Sequence, residues 1–186
     1  WNSHVGTRLA EVVGDWVPYW CEIIVVDASP ESESQAKRLR QLDGVRYFHA
    51  PQKGIFSAGV ARDIGAQYAS REFIFFFDVD LVFHPELVTN IQSALPNLAA
   101  SPLSFFMIPC LYLKKNATRT VEHDRRAIQN YWRNYLQGDF SSVINLAVAS
   151  SAIIIHRGSY LSTGGHRHEF SGHGCEDLEL INRLTL

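Results

Sequence analysis

Between Glu22 and Leu95 the chain alternates between short apolar runs and longer stretches whose apolar residues recur at helical spacing. Glu22 to Asp27, EIIVVD, is a β-branched run closed by Ala28, Ser29 and Pro30, the pattern of a buried parallel strand whose carboxyl end carries Asp27. A helix is expected to follow over Ser32 to Leu42. From Ser57 to Ala69 the residues Val60, Ala61, Ile64 and Tyr68 share one helical face, with Ser57 as the N-cap. The aromatic run Phe73 to Phe77 predicts the next strand. Pro85 suits a first helical position, and Leu87, Val88, Ile91, Ala94 and Leu95 form an apolar face that Pro96 is expected to end. Later apolar runs at Phe105 to Leu111 and Ser151 to His156 enclose a polar, helical stretch. This order predicts an α/β fold, a three-layer α/β/α sandwich around a mostly parallel central sheet. No internal repeat, low-complexity tract or Pro/Ser/Gly-rich linker divides it, so residues 1–186 read as one domain.

The most apolar segment, Phe73 to Phe83, FIFFFDVDLVF, contains two carboxylates one residue apart, Asp78 and Asp80. Strand side chains alternate, so the pair would face the same way, at the carboxyl end where α/β sheets gather ligands. Asp27 sits at a corresponding strand end. An isolated pair of this kind is more often solvated, salt-bridged or capping the following helix. Here, two like charges bordering five apolar residues repel each other and resist desolvation, and a divalent cation such as Mg2+ or Mn2+ would remove that cost. A second acidic pair, Glu176-Asp177, follows Gly164, Gly165, Gly172 and Gly174 and opens a helix with Leu178, Ile181 and Leu184 on its apolar face. Acids in a first turn also complement the helix dipole without any catalytic role. The glycines allow a loop that closes over a ligand. His166, His168 and His173 crowd the same loop; without tight ligand spacing they read as loop residues ahead of metal ligands.

Composition narrows the class. A chain of 186 residues, 46% hydrophobic, builds one substantial core, and a formal charge of -2 exerts no general pull on nucleic acid. Three scattered cysteines, Cys21, Cys110 and Cys175, do not form a disulfide framework and fit a reducing compartment. No apolar run reaches the roughly 20 residues needed to span a bilayer. The start at Trp1 and the end inside a helix lead us to expect trimmed ends. Six basic residues between Lys114 and Arg133 outnumber Glu122 and Asp124 and are interleaved with Tyr131 and Trp132. Such a stretch is by default a solvated helix face, and by chemistry it would also suit an anionic glycan.

Asp78 and Asp80 alone fit two enzyme classes. A haloacid-dehalogenase-like phosphatase would use Asp78 as nucleophile and Asp80 as acid/base, but its loop usually continues Gly-Thr, where this chain has Leu81-Val82. A glycosyltransferase of the GT-A fold would use the pair on a metal-bound nucleotide diphosphate. Four segments, in order, resemble the inverting GT-A enzymes of glycosyltransferase family 2, in the chondroitin-polymerase-like and β-1,4-galactosyltransferase-like branch. They are Trp1-Asn2-Ser3; Glu22 to Ser29, EIIVVDAS; Lys53 to Gly65, KGIFSAGVARDIG; and Gly164 to Leu184, GGHRHEFSGHGCEDLELINRL. The last departs from the family pattern at His168, His173 and Cys175, the second has Ala28 for an aspartate, and the third Asp63 for an asparagine.

The resemblance implies a metal-dependent transfer of a hexose or N-acetylhexosamine from a UDP-sugar to a saccharide hydroxyl, in capsular or surface polysaccharide synthesis. It implies Asp27 on the uracil base, Arg62 on the base or diphosphate, Asp78 on the ribose or metal, and Asp80 on Mn2+ or Mg2+. Asp177 would be the catalytic base, with Glu176 holding the acceptor or the loop. By the same resemblance the protein would be cytoplasmic, at the inner face of the membrane through a partner or a missing segment. The acceptor would be an oligosaccharide or polysaccharide. A third metal ligand would lie beyond the helix that Glu176 opens. A non-catalytic glycan-binding or scaffolding domain of the same fold stays open as the alternative, with the phosphatase. A nucleotidyltransferase ranks below both for want of a Gly-rich phosphate loop near the amino end.

Overall fold

The computed structural model of the chain describes residues 5–19, 21–29, 39–84, 86–148, 151–172 and 174–185. Helix α1 (Val5–Trp16) and a short turn of helix at Val17–Tyr19 lead into strand β1 (Ile23–Asp27), followed by β2 (Val45–His49) and α2 (Ala58–Tyr68). Then come β3 (Phe73–Phe75), α3 (Glu86–Ala100), β4 (Phe105–Met107), β5 (Cys110–Leu113), α4 (Lys115–His123) and α5 (Ala127–Leu136). The chain continues with β6 (Val143–Ala147), β7 (Ile153–His156), α6 (Arg157–Ser162) and α7 (Glu176–Thr185). The fold is α/β, as the pattern predicts.

The sheet arrangement departs from the expected mostly parallel sheet. Only β1 and β2 pair in parallel, with Ile23 opposite Val45 and Asp27 opposite His49. Strand β7 lies between β3 and β4 and runs antiparallel to both, with Ile155 facing Ile74 on one side and Phe105 on the other. β5 and β6 form a separate antiparallel pair. The physical reason lies in the return path. Val143 to Ala147, to which no strand was assigned from the sequence, pairs back onto β5, and the chain re-enters the sheet as β7 against the direction of its neighbours. Phe105 to Leu111 is accordingly two strands, not one run, and the polar stretch after it is two helices. Most of the expected Ser32 to Leu42 helix, together with Trp1-Asn2-Ser3, Pro85 and His173, lies outside the described residues.

Ser57 caps α2 as predicted: its hydroxyl accepts from the Val60 N–H at 3.4 Å. Pro96 does not end α3, which runs on to Ala100. Leu98, two residues past it, is fully buried, and that burial holds the last turn in place against the missing proline N–H. The aromatic run is covered on both faces. Phe75 and Phe77 meet the Trp16 ring at 5.5 and 5.4 Å between centroids, while Phe76 turns the other way, 4.9 Å from the Tyr160 ring. A strand apolar on both sides needs partners on both sides, and α1 and α6 supply them.

Two apolar clusters result. One gathers Ala66, Phe76, Ile153, Ile155, Tyr160 and Leu180; the other gathers Val13, Val25, Leu39 and Tyr47. A cavity of about 1520 Å³ is lined by residues of both, from β1, β3, α1 and α2. Among the described residues, β1 and β3 each carry a strand ladder on one side only. Most of this cavity is apolar. Asp27, Ser29, Arg62 and Asp78 meet it at the carboxyl ends of β1 and β3, and Glu22, Arg71 and Glu72 line it ahead of those strands. No helix among the described residues is long and apolar enough to cross a membrane.

Ile155 is fully buried on the central strand β7. Ile155→Ala is expected to cost about 3 kcal/mol, read as a lower urea midpoint with an unchanged slope; a loss below about 1 kcal/mol would mean the site collapses around the missing atoms.

Candidate active site

Consecutive residues of α2 organise the site. Arg62 and Asp63 are adjacent, so their side chains leave the helix in different directions, each toward its own set of partners. The Arg62 guanidinium donates from Nη2 to Asp78 Oδ1 at 3.0 Å, and from Nη1 to Asp177 Oδ1 at 2.8 Å and Glu176 Oε1 at 3.4 Å. Only 10% of its side chain is exposed. Burial alone would weaken its charge, but Asp78 and Asp177 outweigh that and hold its pKa above the usual value. The structure thus brings four of the six sequence-predicted site residues together, the Asp78, Glu176 and Asp177 carboxylates on the Arg62 guanidinium.

The other two stand apart from that cluster. Asp27 Oδ1 accepts from the backbone N–H of Ser29 at 2.9 Å and its hydroxyl at 2.5 Å, and Oδ2 accepts from the Tyr47 hydroxyl at 2.5 Å. These bonds fix the carboxylate at the end of β1, where it lines the cavity. Asp80 is exposed in the turn that follows β3, a turn closed by the Leu81 N–H donating to the Asp78 carbonyl at 3.1 Å. The strand ends at Phe75, so the alternation expected to point Asp78 and Asp80 the same way does not extend to them. Asp78 Oδ2 also accepts from the Ser151 hydroxyl at 2.5 Å, so both its oxygens are engaged.

Asp63 gathers a second cluster. It accepts from the Tyr160 hydroxyl, from the His166 backbone N–H at 3.0 Å, and contacts His168 Nε2 at 2.7 Å. Burial pushes the Asp63 carboxyl up, but the hydrogen bonds from His166, Tyr160 and His168 prevail and hold its pKa at about 2. Burial together with Asp63 raises the Tyr160 hydroxyl well above its ordinary range, so it stays protonated. The glycine loop is anchored here: the Ser57 hydroxyl donates to the Phe170 carbonyl at 3.0 Å, and the Gly172 N–H donates to the Phe56 carbonyl at 2.7 Å. The loop that the glycines made a candidate lid is tied at both points to the start of α2.

Asp63, Tyr160 and Ser151 carried no site prediction, and His166 read as a loop residue. Its side chain has no exposure at all. The one available signal was position: Asp63 follows Arg62 inside the Lys53 to Gly65 segment. Cys175 takes a left-handed backbone conformation, φ 73, between Gly174 and α7, a conformation that favours glycine. The basic stretch is partly spent on packing, since Arg125 pairs with Glu11 and Asp15 of α1.

Strand ends, a helix start and a capped helix converging on an acid cluster beside a deep cleft define an α/β domain built to act on a ligand at its strand ends. The family model for glycosyltransferase like family 2 matches residues 11–186, and the chain belongs to that family. Membership brings a glycosyltransferase-type function, with a nucleotide-sugar donor and a glycan acceptor in general terms.

Asp63 titrates near 2 in the fold and near the ordinary carboxylate value in the unfolded chain. Its contribution, about 2 kcal/mol, is therefore complete above about pH 4 and lost as pH falls toward 2. Urea unfolding across that window is expected to show the loss in the parent protein and a flatter profile in Asp63→Asn. Parallel profiles would put the acid-labile group elsewhere.

Proposed function

We propose that the protein is a metal-dependent inverting glycosyltransferase of GT-A type, moving a hexose or N-acetylhexosamine from a UDP-sugar to a saccharide hydroxyl. The observation that carries this reading is the Arg62 bridge, which sets the Asp78 carboxylate after β3 and the Asp177 carboxylate of α7 on one guanidinium. A donor held at the first and an acceptor held at the second would lie within reach of each other.

In this reading Asp27 receives the base at the end of β1, and Arg62 faces the diphosphate. Asp177 takes the proton of the acceptor hydroxyl as its oxygen bonds to the anomeric carbon, while the bond to the UDP oxygen breaks with its electron pair leaving on UDP. One displacement inverts the centre. Glu176, buried beside Asp177, keeps the start of α7 fixed on Arg62.

A divalent ion fits the residues present. Asp80 is exposed and accepts no bond among the described residues, two positions from Asp78, and the described residues hold no cluster of three ligands. Mn2+ or Mg2+ would thus be held by Asp80 and Asp78, with substrate phosphates and water completing its shell, and would stabilise charge on the leaving diphosphate. The setting we assign is capsular or surface polysaccharide synthesis at the cytoplasmic face of a membrane, which rests on the sequence resemblance.

Calorimetric titration of UDP is expected to show binding with Mn2+, lost with EDTA and weakened at least about tenfold in Asp80→Ala. Absence of binding to the folded protein in every condition would favour a non-catalytic domain. Asp177→Asn is expected to lower sugar transfer about 10²- to 10⁴-fold while leaving UDP affinity within a factor of two; loss of UDP binding instead would move Asp177 to the donor side.

A further inference from the structure

His166 ties together two clusters that the transfer chemistry does not itself require to be joined. Its ring is buried against the edge of Phe76, 5.7 Å between centroids, and its backbone N–H donates to Asp63. Tyr160 has one hydroxyl proton, and that proton goes to Asp63 Oδ1. The Tyr160 oxygen then accepts from His166 Nδ1, 2.6 Å away. On the opposite side of the ring, Nε2 stands 3.4 Å from Asp177 Oδ1. A carboxylate oxygen only accepts, so this contact is attractive only with a proton on Nε2 as well.

Arg62 donates to the same oxygen of Asp177. Both bonds therefore fall on Oδ1, and among the described residues Oδ2 has no hydrogen-bond partner. The backbone is shaped around this arrangement. A Cβ on Gly59 would come within 2.7 Å of His166 Cβ, and a Cβ on Gly165, at φ +68, within 2.5 Å of Asp63 Oδ1. Neither position tolerates a side chain without moving the chain of groups that runs from Asp63 through Tyr160 and His166 to Asp177.

We propose that His166 is the positioning residue for Asp177: a doubly protonated imidazolium, braced by Tyr160 and Asp63, pins Oδ1 and leaves Oδ2 as the oxygen that receives the acceptor's proton. This rests on Asp177 being the base of the proposed transfer. The charged and titratable groups facing the ring are Arg62 and Asp63 from α2, Tyr160 from α6, His168 from its own loop, and Asp177 and Glu179 from α7. Burial works against charge on the ring, and the bonds to Asp177 and Asp63 overcome it.

Two readouts test this, and the first needs no substrate. Imidazole nitrogen NMR of the parent protein at neutral pH is expected to show His166 protonated at both nitrogens. The Asp177 carboxyl-carbon NMR signal is expected to move in His166→Phe, which removes the Nε2 contact to Oδ1, and to stay closer to the parent in His166→Gln, which keeps one donor. A neutral ring, or an Asp177 carboxyl signal unchanged in both variants, overturns the proposal; the ring measurement stands even where His166→Phe does not fold.

The second readout is UDP release from a panel of UDP-hexoses and UDP-N-acetylhexosamines with oligosaccharide acceptors. His166→Phe is expected to lose about 10- to 100-fold in kcat with donor KM within a factor of two, its rise with pH displaced upward, and His166→Gln to recover part of the loss. Asp177→Asn runs beside them. If it abolishes release while His166→Phe behaves as the parent, the positioning role fails and the base assignment survives. If Asp177→Asn releases UDP normally, the base assignment itself fails, and the positioning role fails with it.

Discussion

Three carboxylates on one guanidinium would repel each other strongly without it, and Arg62 is the residue on which the geometry of the site depends. Asp78 comes from the turn after β3, and Glu176 and Asp177 from the first turn of α7. Nothing in the local structure of either segment would bring them together. Removing water from one cation costs several kcal/mol, and planar donors aimed at several carboxylates recover that cost far better than a single pair would. The amino terminus of α7 adds to the same effect, since its aligned peptide dipoles favour the two acids in its first turn. Leu180, fully buried one turn later, holds the helix where those dipoles can act.

The aromatic strand explains why the site is so close to the core. Phe75, the last residue of β3, and Phe77 just beyond it pack on Trp16, while Phe76 packs on Tyr160 and His166. The polar chain from Asp63 to Asp177 therefore sits directly on apolar packing, with every member hydrogen-bonded. Half-satisfied, such a network would be costlier than an apolar core. This is why Gly59 and Gly165 matter as much to the site as its charged residues: they let α2 and the loop approach closely enough to complete the bonds.

What the sequence disclosed and what it withheld divide along physical lines. Local signals were legible. The Ser57 cap, the β1 strand ending in Asp27, the α2 helix and the acids in the first turn of α7 follow from short-range patterns and appear where those patterns place them. Non-local outcomes were not. The antiparallel entry of β7, the pairing of Val143 to Ala147 with β5, and the continuation of α3 past Pro96 depend on partners far along the chain. The same holds within the site. Arg62, Asp78, Glu176 and Asp177 stood out by charge in apolar or glycine-rich settings. Tyr160 lies in an ordinary short helix and His166 among other loop histidines, and only burial distinguishes them.

The charge balance of the finished cluster bears on what can enter it. Asp63, Asp78, Glu176 and Asp177 are four carboxylates against the Arg62 guanidinium and, in the protonation state proposed above, the His166 ring, and exposed Asp80 adds a further negative charge two residues beyond Asp78. Arg62, the group best placed to meet a diphosphate, already gives three of its five donors to acids. An anionic ligand approaching Asp78 would meet net repulsion, softened by solvent because the Asp78 side chain is 42% exposed. Within the proposed function, donor binding then requires positive charge brought from outside the chain. A divalent ion held by Asp80 and Asp78 would supply it, and nucleotide binding and metal binding would then be one coupled event at this site.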